Sequence, residues 1–332
     1  MSTPSAWPRP STSPLPWSRN FCMSLPMNSP VFDAPALRML AYACGIAGQF
    51  AGSRDGPSVF REALSTLPAL ARDISWDSWI EDSRPFSQIG PQEALRAVTG
   101  LAAGLAADAR AAALRGGFPV LIGGDHSAAA GYWSGIAQAH QPRGDIGLVW
   151  IDAHMDSHTP FTSPNGYVHG MPLAALLGHG DPGLTGLLSP RAKLRPDRVC
   201  LIGTRDFEPE EAALLRTLDV RVFYMDEVRS RGLERVLDDA LEIVGRAPAG
   251  FGVTLDLDGI EPGDAPGVST PSPNGLRSDA LLPGLRRLLR DRRCVGLEIS
   301  EFNPSEDKDG RTLDFMLAVV ANLVRDRAAG AS

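Results

Sequence analysis

Gly147-Leu148-Val149-Trp150-Ile151-Asp152-Ala153-His154-Met155-Asp156 is an apolar run that ends in Asp-x-His-x-Asp. The run has the length and apolarity of a buried β-strand, and three metal-capable side chains follow within five residues. In strictly extended chain Asp152, His154 and Asp156 would share one face, because strand side chains alternate with period two. Carboxylates supply hard oxygens and imidazole a borderline nitrogen. That mixture suits Mn, Fe, Co or Zn and excludes none of them.

Outward from this stretch the chain alternates strands and helices. On the C-terminal side strands are expected at Val199–Gly203, Val220–Tyr224, Phe251–Leu257 and Val295–Ile299. Helices are expected between and after them, at Pro209–Leu218, Leu233–Val244, Asp279–Leu289 and Thr312–Arg325. On the N-terminal side the expected strands are Leu37–Ala43 and Phe118–Ile122. The expected helices there are Pro57–Leu67, Pro91–Arg115 and Ala128–Ala139, with a loop at Gly45–Gly56. Near-continuous apolar strands alternating with helices imply a mostly parallel sheet covered on both faces, a three-layer α/β/α fold. No linker or repeat interrupts this pattern, so residues 36–332 read as a single domain. Residues 1–35 are rich in Pro and Ser and carry no acid before Asp33, which reads as a disordered extension.

Bulk properties narrow the function. The chain has 332 residues, a net charge of −7 and 43% hydrophobic residues. An acidic chain without a basic run argues against nucleic-acid binding, and no apolar stretch is seen to approach the ~20 residues of a membrane span. Cys22, Cys44, Cys200 and Cys294 are scattered with no Cys-x-x-Cys pair. They suggest neither a thiolate metal site nor a disulfide framework, and fit reduced thiols in the cytoplasm.

In parallel sheets functional sites lie beyond the carboxyl ends of the strands. Three strand ends here deliver candidate ligands: His126 after Phe118–Ile122, then Asp152, His154 and Asp156, then Asp256 and Asp258 around the end of Phe251–Leu257. Two histidines and four aspartates exceed what one ion needs, which suggests two metals sharing carboxylates. Gly123-Gly124-Asp125-His126-Ser127, Asp152-Ala153-His154-Met155-Asp156 and Asp256-Leu257-Asp258 together resemble the motifs of the ureohydrolase family of arginases and agmatinases. The resemblance spans roughly residues 38–325 and lies closest to bacterial-type arginases.

That resemblance implies two Mn2+ ions per subunit, with Ni, Co or Zn not excluded. His126, Asp152, Asp156 and Asp256 would hold one ion; His154, Asp152, Asp256 and Asp258 would hold the other. His169, in His169-Gly170-Met171-Pro172, matches the family's proton-shuttling histidine, and an imidazole titrates in the range that role needs. Glu301, in Glu301-Phe302-Asn303-Pro304, matches the carboxylate that receives a guanidinium in a planar fork. Asp156 would orient the attacking water and relay its proton. The implied reaction is hydrolysis of a guanidino group to urea and an amine, and the implied assembly is a homo-oligomer, a trimer or hexamer.

Within the family the leading expectation is L-arginine, giving L-ornithine and urea. It rests on Thr159-Pro160 before His169, on Gly203–Glu211, and on Thr270 within Ser269-Thr270-Pro271. His158, Asn165 and Glu208 occupy tail-recognition positions but depart from the arginase pattern, as does the bulkier Tyr167. Guanidinobutyrate, agmatine or formimidoylglutamate are the alternative substrates. A non-catalytic subunit of a hetero-oligomer is a remote alternative, since all six ligand positions, His169 and Glu301 are present. A generic two-metal phosphoesterase would have little use for Glu301, which suits a cationic substrate.

Overall fold

The computed structural model describes residues 37–82, 84 and 89–329; the expectation for residues 1–35 and for Cys22 lies outside them. Eight strands form one sheet: β1 (Leu37–Ala43), β2 (Ile74–Glu81), β3 (Phe118–Gly123), β4 (Gly147–Ile151), β5 (Val199–Thr204), β6 (Arg221–Tyr224), β7 (Phe251–Asp256) and β8 (Cys294–Ser300). Their order is β2-β1-β3-β8-β7-β4-β5-β6, and every pairing is parallel. The expected mostly parallel sheet is therefore wholly parallel.

The principal helices are α1 (Gly56–Ser65), α2 (Pro91–Leu114), α3 (Ala128–His140), α4 (Pro209–Thr217), α5 (Met225–Arg231), α6 (Leu233–Val244), α7 (Ser278–Arg290) and α8 (Arg311–Ala329). They cover both faces. In β4, Val149 and Ile151 pack into a core layer with residues of α1, α6, α7 and α8. Leu148 and Trp150 point the other way, into a layer with residues of α2, α3 and α4. Period-two alternation thus sends β4 and the other central strands towards both layers, so most of them read as near-continuous apolar runs. Each such side chain removed from water contributes about 1.5–3 kcal/mol.

Four local expectations need correction. β2 was not anticipated: its Ile74-Ser75-Trp76-Asp77-Ser78-Trp79-Ile80 run is half-buried throughout, as fits an edge strand with polar residues on one side. Helix α5 was also missed, and the expected loop before α1 contains a 3-10 turn at Gly52–Asp55. Helix α2, with 24 residues and a window of mean hydropathy 1.2, is long and apolar enough to cross a membrane, so the expectation that no stretch comes near that length fails. Its buried stripe, including Val98, Ala102, Leu105 and Ala109, packs into the core layer shared with α3. Close approach is made possible by Gly135 on α3, where a Cβ would lie 2.4 Å from the Ala106 carbonyl oxygen.

Candidate metal centre

The central strands β3, β4, β7 and β8 lie side by side, and the chain leaving their carboxyl ends carries the chemistry. β4 stops at Ile151, so Asp152–Asp156 is not extended strand and the shared face expected for its three ligands does not exist as such. Convergence comes from the turn beyond the strand, in which Asp156 takes a left-handed backbone with φ of 48°. Glu301, just past β8, does the same with φ of 66°. Non-glycine residues seldom adopt this region, and such strain concentrates at functional positions.

Two groups of donors form there. His126 Nδ1 lies 2.8 Å from Asp156 Oδ2, 2.8 Å from Asp256 Oδ2 and 3.3 Å from Asp152 Oδ2. His154 Nδ1 lies 3.2 Å from Asp258 Oδ2 and 3.5 Å from Asp152 Oδ1. His126–Asp152–Asp256 and Asp152–His154–Asp258 each offer three ligand atoms close enough together for one ion, with Asp152 common to both. Asp256, expected to bridge as well, joins only the first group.

The donors are held from behind. The Trp150 indole N–H donates to Asp152 Oδ2 at 2.8 Å, and its ring stacks on His126 with centroids 4.6 Å apart. The backbone N–H of His154 donates to Asp152 Oδ1, and that of Asp258 to Asp256 Oδ1. Thr270 Oγ1 donates to Asp258 Oδ2 at 3.0 Å, so Thr270 touches a ligand directly. Arg205 donates to the backbone oxygens of Asp258, Gly259 and Ser272, clipping the loop after β7 in place.

The chemistry of the pocket calls for positive charge. Burial opposes protonation of His126 and His154, yet the facing aspartates, Asp256 and Asp258 foremost, outweigh it and raise both imidazoles well above their usual range. Burial raises Asp256 and Asp156, with neighbouring carboxylates adding to the effect. Asp152 is lowered despite burial because it faces both imidazoles. Buried polar atoms ordinarily find hydrogen-bond partners, but neither ring nitrogen of His126 makes a hydrogen bond, although carboxylate oxygens lie 2.8 Å from Nδ1, and Asp258 Oδ1 makes none either. Orphaned nitrogen and oxygen donors among buried carboxylates are what a pair of divalent cations would satisfy.

His169 and Glu301 stand next to these groups. Glu301 Oε1 accepts from the His126 backbone N–H at 2.7 Å and lies 3.6 Å from His169 Nδ1. Burial pulls the His169 pKa down, but Glu301 more than compensates and raises it. Both residues line a small cleft with Asp125, Tyr167 and Thr270, and with Gly48–Phe50 of the loop after β1.

The tail-recognition positions are arranged differently from expectation. His158 holds a tail-recognition position, yet both its ring nitrogens are engaged within the chain, Nδ1 with Thr162 Oγ1 and Nε2 with Glu208 Oε2, each at 3.1 Å. Glu208 is thereby tied to His158, and Glu211 joins them 3.6 Å from His158 Nε2. Glu208 and Glu211 also form the capping box that starts α4. Burial and the neighbouring Glu208 push Glu211 up to about 8. Asn165 is exposed and does not line the cleft, whereas Tyr167 does. Glu211, Trp150 and Asp125 were not assigned a role from the sequence; the available signals were the Glu208-x-x-Glu211 spacing ahead of a helix and the place of Asp125 within Gly123–Ser127.

Comparison with known proteins agrees with this geometry. The Arginase family model matches residues 38–325. Arginase from Bacillus caldovelox is 36% identical over 278 residues, covering 82% of this chain and 92% of that protein. Its crystal structure superposes with a TM-score of 0.80 at 33% identity, covering 88% of this chain and 98% of the other. A Trypanosoma cruzi formiminoglutamase variant shares the fold at 21% identity and a TM-score of 0.71, covering 89% and 94%. With that family match and this paired donor set, the chain belongs to the arginase family and is a metal-dependent amidinohydrolase.

Proposed function

We propose that this chain is a binuclear manganese enzyme that hydrolyses L-arginine to L-ornithine and urea. The observation that carries the reading is the adjacency of two His/Asp groups sharing Asp152 to a buried carboxylate, Glu301, which accepts from the His126 backbone N–H and lines a cleft with His169. Two divalent cations held by His126, Asp152, Asp156, Asp256, His154 and Asp258 would make water nucleophilic near neutral pH. Glu301 binds the guanidinium as an ion pair and presents its central carbon to the attacking water. Asp156 accepts a hydrogen bond from that water and takes its proton. His169, its imidazole raised by Glu301, then protonates the departing amine.

Identity to arginases supports L-arginine. Agmatine, which has no carboxylate, is the second reading, because both His158 nitrogens are engaged within the chain and neither is free to bind a substrate carboxylate. Urea release from manganese-loaded protein decides between them. The panel is L-arginine, D-arginine, agmatine, guanidinobutyrate and guanidinoacetate, with formimidoylglutamate followed by formamide release. Preference for L-arginine upholds the first reading, and preference for agmatine the second. Turnover of formimidoylglutamate alone overturns both.

A further inference from the structure

The loop after β1, Gly45–Phe50, carries none of the ligand motifs, yet it is bound to the cleft at three points. Asp125 Oδ2 accepts from the Ala47 N–H at 3.1 Å, with both groups buried. The Ala47 carbonyl in turn accepts from the N–H groups of Val168 at 2.7 Å and His169 at 3.2 Å. Gly48, itself buried, lies against the His169 ring. A Cβ placed on it would stand 2.7 Å from Nε2 and 2.8 Å from Cδ2, closer than side-chain carbons come to such atoms.

From this geometry we infer that the loop is a positioning element for His169, with Asp125 as its anchor and Gly48 as the spacer that leaves room for the imidazole. The chain of contacts runs Asp125 carboxylate, Ala47 peptide, His169 backbone, and the absent side chain at Gly48 sets the ring's resting plane opposite Glu301. Asp125 divides its two oxygens: Oδ2 holds Ala47, while Oδ1 accepts from the Ser127 N–H at 3.2 Å and from the Ser127 hydroxyl. An amide at this position has one acceptor for those two tasks. The inference rests on the proton-transfer role proposed for His169, and its test separates the two.

The test is a double-mutant cycle on kcat between Gly48→Ala and His169→Ala, with metal content measured for every variant. Gly48→Ala is expected to lower kcat on the order of 10–100-fold, since small misplacements of a reacting group cost that much. KM and metal content should stay near wild type, and the variant should have no further effect once His169 is Ala. An equal loss from Gly48→Ala in both backgrounds, or no loss at all, overturns the inference alone. A His169→Ala enzyme with wild-type kcat overturns the proton-transfer role, and the inference with it. Should Gly48→Ala fail to fold, Asp125→Asn takes its place in the cycle with the same expected pattern: kcat reduced, two metals retained, non-additive with His169→Ala. Additivity there is the contradicting result.

Discussion

The metal pocket and the rim around the cleft are built on different principles. In the pocket the ligands follow the carboxyl ends of central strands, and Asp152, Asp256 and Asp258 are fixed by neighbours at short range, as Trp150 and the His154 N–H fix Asp152. Hardly any of it can move without breaking a buried contact. The rim is made of loops and a helix start, where His158, Glu208 and Glu211 bond mainly to one another. Glu208 is half-exposed, Phe161 is 97% exposed, and Tyr167 leans towards His169 with ring centroids 5.9 Å apart. The pocket therefore specifies the reaction class, and the rim is where substrate choice can change without disturbing it.

The largest expected effect lies in the pocket. Asp152→Ala removes the carboxylate common to both donor groups, and the variant should lose metal together with all detectable urea release. An Asp152→Ala protein that still carried two ions would break the ligand assignment. Glu301→Gln comes next: metal content should hold while kcat/KM falls by an amount corresponding to about 2–5 kcal/mol, the usual cost of uncoupling a buried charge pair. Steady-state kinetics with metal analysis reads this, and unchanged turnover would dismiss the guanidinium role.

Trp150→Phe keeps the stacked ring but deletes the hydrogen bond to Asp152, so metal affinity should drop roughly 10–100-fold. Competition with a chromogenic chelator measures it. The smallest effect belongs to the rim. Glu211 keeps its proton up to about pH 8 in the folded chain, against 4.5 for an ordinary glutamate. Between those values the folded state binds more protons than the unfolded one, so stability declines as pH rises through the window. Thermal melts of Glu211→Gln from pH 4.5 to 8 should show a flatter dependence than wild type while urea release persists. A steeper dependence would contradict the assigned protonation.

How much of this was readable in advance follows the same division. The six candidate ligands sit in three compact motifs at strand ends, and strand ends are visible as the points where apolar runs stop. A mostly parallel sheet followed from the same runs. What could not be read depended on contacts between distant residues or on backbone conformation. Asp125 meets Ala47 across 78 positions, and the left-handed turns at Asp156 and Glu301 have no glycine to announce them. β2 alternates only as far as Asp77, where its register against β1 shifts, and lacks the continuous apolar signal of its neighbours. His158 could be placed at the rim, but its two ring partners were set by the loop at Thr162 and by the start of α4.

The central claim is that one pocket, joined through Asp152, holds two ions and that both serve hydrolysis of a guanidino group. Manganese titration into metal-free protein, with bound metal and urea release followed in the same samples, addresses it most directly. Saturation is expected at two ions per chain, with activity rising as the second ion binds. Full activity at one ion per chain, or saturation at one, would contradict it.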